Sequence, residues 1–418
     1  MKKSISLILC LVLVVSLMTA CAGISATASA ETKVELTFMT NVVGEKANAL
    51  EAAIKDFEAE TGYIVEFSAP GSSYEELMKT KMSSNSLPDV FTTHGWSVAR
   101  YSEYLMPVNE MPFASRISNQ IKPVITNAAG EMFVLPVDID IAGIVYNVDV
   151  LNQCGIDADS IKTWADFADA CAAIRAAGID PISIGGKDNW TIGGFFDWVA
   201  PSFYITNEAA SKAAELKAGT FDTEVWAQIA QMMADWTDAG FFNTDVLTAD
   251  YNAEVEALAT GKAAFVFNGN STIADAKAKN ADANLGMMPI PSNDAADEPS
   301  LIAGEDIAIG IWKDTEYAKE AQELLEYLAR PEVCAKIATA AGSAAGLTDV
   351  DADLGEIKPF IDKHSNVGTY PYFDREYLPS GLWDVMCSTG AEILAKNADA
   401  VDNAAKVMLE NFNDKFVG

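Results

Sequence analysis

The residues best equipped for chemistry are large aromatic rings that stand beside acids and amides. Trp190 lies in Gly185-Gly186-Lys187-Asp188-Asn189-Trp190-Thr191-Ile192-Gly193-Gly194, directly after the predicted strand Asp180 to Ile184. A ring of that size in a glycine-rich loop has little reason to belong to a core, so it is available to cover the apolar face of a small molecule. Trp383 follows Tyr370-Pro371-Tyr372-Phe373 and Pro379-Ser380-Gly381. Trp96, with His94, comes just after the short segment Val90-Phe91, and Asn41 comes just after the first predicted strand. Asp138 and Asp140 sit in Pro136-Val137-Asp138-Ile139-Asp140, and Asn268-Gly269-Asn270 closes a strand predicted over Ala263 to Phe267. Glu305-Asp306 follows Gly304 between apolar residues, where paired acids are costly unless hydrogen-bonded, so a ligand or a backbone partner is expected. Rings for stacking and acids or amides for hydrogen bonds describe binding rather than bond breaking.

Other chemistries lack their residues. No phosphate-cradling glycine loop, Ser/His/Asp order or metal motif occurs. Only His94 and His364 supply imidazole and there is no CxxC spacing, so no metal and no cofactor is expected. Carboxylate pairs of the glycosidase kind can always be drawn among so many acids, and nothing favours any one pair. The sequence holds 28 basic against 60 acidic residues, a formal charge of −32. That balance excludes nucleic acid and anionic head groups as partners and disfavours phosphorylated ligands.

The first residues set the compartment. Lys2 and Lys3 precede an apolar run from Ile5 to Met18, shorter than the roughly 20 residues that span a bilayer but suited to a secretory signal. The run ends in Leu17-Met18-Thr19-Ala20-Cys21, which resembles a bacterial lipobox and makes Cys21 the expected site of acylation. Two acyl chains would hold the protein at a membrane without a spanning helix. Residues 1–20 then read as signal and 21–32 as a tether of small residues. Of the later cysteines, Cys154, Cys171, Cys334 and Cys387 are expected as free thiols, because a body this large needs no disulfides.

The remaining chain, about 390 residues, is too long for one core and suits two lobes. Lys33 to Met39 alternates as a strand; Leu50, Ile54 and Phe57 mark one helical face over Ala47 to Thr61, and Tyr63 to Ser68 follows as a strand. A helix over Tyr74 to Ser84 and a strand at Pro88 to Phe91 continue a rhythm typical of parallel sheets covered by helices. Later come a strand over Gly143 to Asn147, a helix over Trp164 to Ala177 capped by Thr163, and a helix over Thr223 to Ala239. Open α/β sheets bind ligands at the carboxyl ends of their strands, so two such lobes facing each other would make a cleft.

Several of these segments, in this order, resemble the extracellular sugar-binding proteins of ATP-binding-cassette importers. They are Pro88-Asp89-Val90-Phe91, Leu135-Pro136 through Tyr146-Asn147, Lys162-Thr163-Trp164-Ala165-Asp166-Phe167, Thr260-Gly261-Lys262-Ala263-Ala264, and Tyr317 to Leu328 with Arg330-Pro331-Glu332. The resemblance runs from about residue 33 to 415 and implies a two-lobed periplasmic-binding-protein-like fold of class II. It implies a first lobe of residues 33–139 plus 306–349 and a second of 140–305 plus 350–418. It further implies a monomer outside the cytoplasm that delivers a carbohydrate, an oligosaccharide or smaller sugar, to permease subunits. Ligand-binding roles fall to Trp190, Asp140, Trp383, Trp96, Asn270, Glu305, Asp306, Asn268, His94 and Asn41. Ser271 stands near where the family's maltodextrin binders carry a tryptophan, which argues against maltodextrin itself. A non-sugar solute such as a polyamine, or a surface glycoside hydrolase, are the competing expectations.

Overall fold

Alternation along the chain places the first strand. In β1 (Glu35–Met39) Leu36 and Phe38 turn into the core while Glu35 stays exposed. The helix Gly44–Thr61 then buries Leu50, Ala53, Ile54 and Phe57, a stripe at helical spacing, and stops where Gly62 adopts a left-handed φ of 76°. β2 (Ile64–Ser68) and β3 (Val90–Thr93) pair parallel with β1, with Glu35 opposite Ile64 and Phe38 opposite Val90. The computed structural model describes residues 34–93, 101–119, 121–122, 125–127, 129–364 and 366–416. The expected signal and tether, Cys21, His94 and Trp96 lie outside the described residues.

β4 (Val134–Pro136) belongs to this first sheet, and a single residue, Val137, separates it from β5 (Asp138–Asn147), the central strand of a second sheet. β5 pairs in turn with β7 (Ala263–Gly269), β8 (Leu285–Met288) and β9 (Leu301–Gly304), and β6 (Asp180–Ile182) extends the sheet beyond β7. Residues 305–307 carry the chain back to β10 (Ala308–Ile311), which inserts between β3 and β4. A last passage follows β11 (Ala344–Ala345), which pairs with Asp138 and Ile139, and β12 (Thr369–Tyr370) closes the second sheet against β9. The first sheet runs β2-β1-β3-β10-β4 and the main path of the second runs β12-β9-β5-β7-β6.

The expected parallel pairing holds for β1 with β2 and β3 and for β6 with β7, and β12 is also parallel to β9. β10 is antiparallel to both its neighbours, and β5 is antiparallel to every partner. A strand arriving from the other lobe enters its sheet from the opposite end, and the local rhythm of strand and helix carries no record of that.

The second lobe has an aromatic core in which Trp164, Phe167, Phe195, Trp236, Phe265 and Phe267 meet. Thr163 and Asp166 form a reciprocal capping box that starts the helix Trp164–Ala176. Among the described residues the four cysteines Cys154, Cys171, Cys334 and Cys387 are unpaired, three of them buried and Cys154 partly so.

One local expectation changes. Trp190 does not ride in a loop; it is the first residue of the helix Trp190–Tyr204, which includes Gly193 and Gly194. These glycines serve packing. A Cβ on Gly193 would fall 2.6 Å from the Cys387 sulfur, and one on Gly194 would fall 2.6 Å from the Trp198 ring.

Candidate functional site

A cavity of about 360 Å³ opens where the two sheets face each other, lined by residues of both. The second-lobe wall is aromatic. Trp190, at its helix start, is half-buried with its ring centroid 5.1 Å from that of Tyr251. Trp198 stands two turns further along the same helix, edge-on to Tyr372 at 5.8 Å. Trp383, in the first turn of the helix Leu382–Leu394, lies against Gly193 and leaves part of its surface to the cavity.

Polar groups are set between these rings. Asp140, near the start of β5 and 6 % exposed, accepts a hydrogen bond from the Tyr372 hydroxyl at 2.7 Å on Oδ2. Its Oδ1 is buried with no hydrogen-bond partner, and so is Nε1 of Trp198. Buried polar atoms of native proteins are nearly always paired, and here an acceptor and a donor on two cavity-lining residues are not. Asp197 is also buried on this wall and accepts the Asp374 backbone N–H at 2.6 Å. Burial first, and the nearby Asp374 second, push its carboxyl up to about 7, while the backbone N–H groups of Asp374 and Phe373 work against the rise.

The first-lobe wall is built differently. The Thr92 hydroxyl donates to Asn41 Oδ1 at 2.6 Å and accepts the Asn41 backbone N–H at 3.0 Å, which fixes Asn41 at the end of β1. Lys46, Tyr74, Glu75, Glu76 and Lys79 complete that wall, and Lys79 reaches across to an ion pair with Asp384.

Charges gather where the chain passes between the sheets. Lys46 pairs with Asp306. Burial works against its ammonium, yet Asp306, Asp140 and Asp138 together hold it above the ordinary lysine range. Burial, and then Asp306, push the Asp138 and Asp140 carboxyls upward against the pull of Lys46. Arg375 lies 3.2 Å from the Glu305 carboxylate, donates to the Glu305 carbonyl, and stacks 3.9 Å over the Tyr372 ring.

Of the sequence-predicted residues, Trp190, Trp383, Asp140, Asn268, Asp306 and Asn41 all line the cavity. Asn270 and Glu305 do not. The Asn270 side chain accepts the Ile141 N–H and donates to the carbonyls of Ala341 and Gly342 and to the Ser343 hydroxyl. Those bonds pin the passages between lobes. Glu305, 1 % exposed, is engaged by Arg375. Asp138 is fully buried and accepts the Ile307 N–H, again at a passage. His94 and Trp96 lie outside the described residues.

Sequence reasoning missed Lys46, Trp198, Tyr251, Asp374 and Arg375, and weighed Tyr372 only as a weaker candidate beside Trp383. Trp198 had a usable signal, because a residue eight positions after Trp190 shares its helical face. The others had none, since they reach the cavity only through long-range pairing.

A partly apolar cleft between two α/β lobes, with a few inward polar groups left open, defines a two-lobed ligand-binding protein. The chain belongs to the family of bacterial extracellular solute-binding proteins, whose model matches residues 43–333. It is 29 % identical over 399 residues to the melibiose/raffinose/stachyose-binding protein MelE of Bacillus subtilis, covering 94 % of this chain and 92 % of MelE. Among solved structures, it is similar to a sugar transporter of Bacillus licheniformis in complex with stachyose. That match is 31 % identical, with a TM-score of 0.85, over 92 % of this chain and all of the other. A binding protein of Bacillus subtilis in an open conformation matches with a TM-score of 0.75 and 28 % identity, over 92 % of this chain and 98 % of the other. The family places the chain outside the cytoplasm.

Proposed function

We propose that this protein is the sugar-capturing component of an ATP-binding-cassette importer, taking an oligosaccharide of the raffinose and stachyose kind. The observation that carries the reading is the second-lobe wall, where tryptophan rings flank two buried polar atoms without partners, Asp140 Oδ1 and Trp198 Nε1. A sugar ring presents C–H patches to aromatic faces and a rim of hydroxyls to such atoms. The likeness to MelE and to the stachyose-bound structure supports the same ligand class.

In this reading residues 33–139 plus 306–349 form the first lobe and 140–305 plus 350–418 the second. The lobes close around the sugar about the passages near Val137, residues 305–307 and Thr348, and the ligand selects the closed state. Trp190, Trp383, Asp140, Asn268, Asp306 and Asn41 contact the sugar. The protein acts as a monomer, held at the membrane by acyl chains on Cys21, and passes its cargo to the permease.

A thermal-shift panel tests the ligand class. Stachyose and raffinose at about a hundred times their dissociation constants are expected to raise Tm by a few degrees, and polyamines to leave it unchanged. Stabilisation by spermidine with none by any mono- or oligosaccharide would refute the reading. Incubation with the same sugars is expected to yield no shortened products.

A further inference from the structure

The helix Gly44–Thr61 of the first sheet's lobe has no cap of its own. Its N-cap residue, Val43, offers no side-chain hydrogen bond. The orphan N–H of Glu45 is taken instead by Asp275 Oδ1, at 2.9 Å. Asp275 lies 230 residues away, on the helix Ser271–Lys279 that packs with the second sheet. The other carboxylate oxygen, Oδ2, accepts the Tyr251 hydroxyl at 2.6 Å. Tyr251 in turn backs the Trp190 ring from inside the cavity wall.

Gly44 makes the approach possible. Its φ of +67° suits glycine, and a Cβ there would fall 2.3 Å from Asp275 Oδ1. A carboxylate at a helix N-terminus is favoured both by the unsatisfied N–H groups and by the positive end of the helix dipole. Here that carboxylate is buried, at 6 % exposure, and belongs to the opposite lobe.

We infer that Asp275 is a positioning residue that latches the closed cleft, joining the first-lobe helix end to the tyrosine that backs the sugar-stacking tryptophan. The inference rests on reading the chain as a sugar-binding protein that closes on its ligand. Opening the lobes separates Asp275 from Glu45 and returns the helix end to water. Closure restores the bond while the sugar holds Trp190 and, behind it, Tyr251. Asp275 thereby adds to affinity without touching the ligand.

The test compares the full chain with Asp275→Ala, Asp275→Asn and Gly44→Ala, using stachyose as the probe. Asp275→Ala is expected to weaken stachyose binding about tenfold by calorimetry, since it removes a charge-assisted bond made on closure. Asp275→Asn keeps an acceptor for the Glu45 N–H and is expected to recover most of that loss. Gly44→Ala, which drives a methyl into the carboxylate, is expected to resemble Asp275→Ala and serves if that variant does not fold. Ligand-free Tm is expected to change less than Tm at saturating stachyose. Unchanged affinity in Asp275→Ala, or equal loss of Tm with and without stachyose, would overturn the latch.

If the wild-type chain binds neither stachyose nor raffinose, the proposed function fails. The latch then falls with it, whereas stachyose binding by wild type with equal affinity in Asp275→Ala overturns the latch alone.

Discussion

The two walls of the cleft are made of different materials. The second lobe supplies Trp190, Trp198, Tyr251, Tyr372 and Trp383, together with Asp140 and Asp197, on strand ends and helix starts packed into a large aromatic core. The first lobe supplies Asn41, Lys46, Glu75, Glu76 and Lys79, with Tyr74 as its one described aromatic at the cavity. Stacking surface is therefore concentrated on one side and charged or amide groups on the other. A sugar can land on the second lobe with most of its apolar contact already made. In the proposed function the first lobe would then add hydrogen bonds and exclude water as it closes. Under the proposed function, affinity would be built on one lobe and closure sensed by the other.

Substitutions on the two walls should separate these roles. The largest effect is expected from Trp190→Ala. Removing roughly 60–80 Å² of apolar contact is worth about 1.5–2 kcal/mol, so the stachyose dissociation constant should rise at least tenfold with the fold intact. Equal affinity in calorimetry would remove Trp190 from the site and dissolve the contrast. Asn41→Ala takes one neutral hydrogen-bonding group from the first lobe, and about a three- to fivefold weakening is expected. A loss larger than that of Trp190→Ala would mean the first lobe carries the affinity.

The smallest effect concerns stability alone. The Asp197 carboxyl titrates near 7 in the folded protein, above its unfolded value, because burial disfavours the charge. Its contribution to stability is full below the unfolded value near 3.9 and is lost as pH rises through about 7. Asp197→Asn removes that loss. Ligand-free Tm of the variant should exceed wild type by a few degrees at pH 8, with the gap shrinking toward pH 4. A gap that stays constant with pH would show that the carboxyl is not burdened by burial.

Much of this arrangement was legible in the sequence, and the illegible part has a common cause. The Thr163–Asp166 cap, the Leu50–Ile54–Phe57 stripe and the early parallel strands are written in neighbouring residues. Trp190 was legible as a ring out of place, although its glycines proved to be helical packing positions rather than a loop. Asn270 and Glu305 looked identical to ligand groups because a buried passage between lobes needs the same residue types as a polar site. Tyr372 meets Asp140 across 232 residues and Asp275 meets Glu45 across 230, distances at which no local pattern speaks. Family resemblance supplied the layout that periodicity could not.

A crystal structure of the chain grown with stachyose shows whether a sugar is held against the second lobe's tryptophans. Sugar rings are expected against Trp190 and Trp383, with a hydroxyl within hydrogen-bond distance of Asp140 Oδ1 and Asn41 brought onto the ligand from the first lobe. Stachyose bound elsewhere, or absent from the cleft at saturating concentration, would contradict that placement.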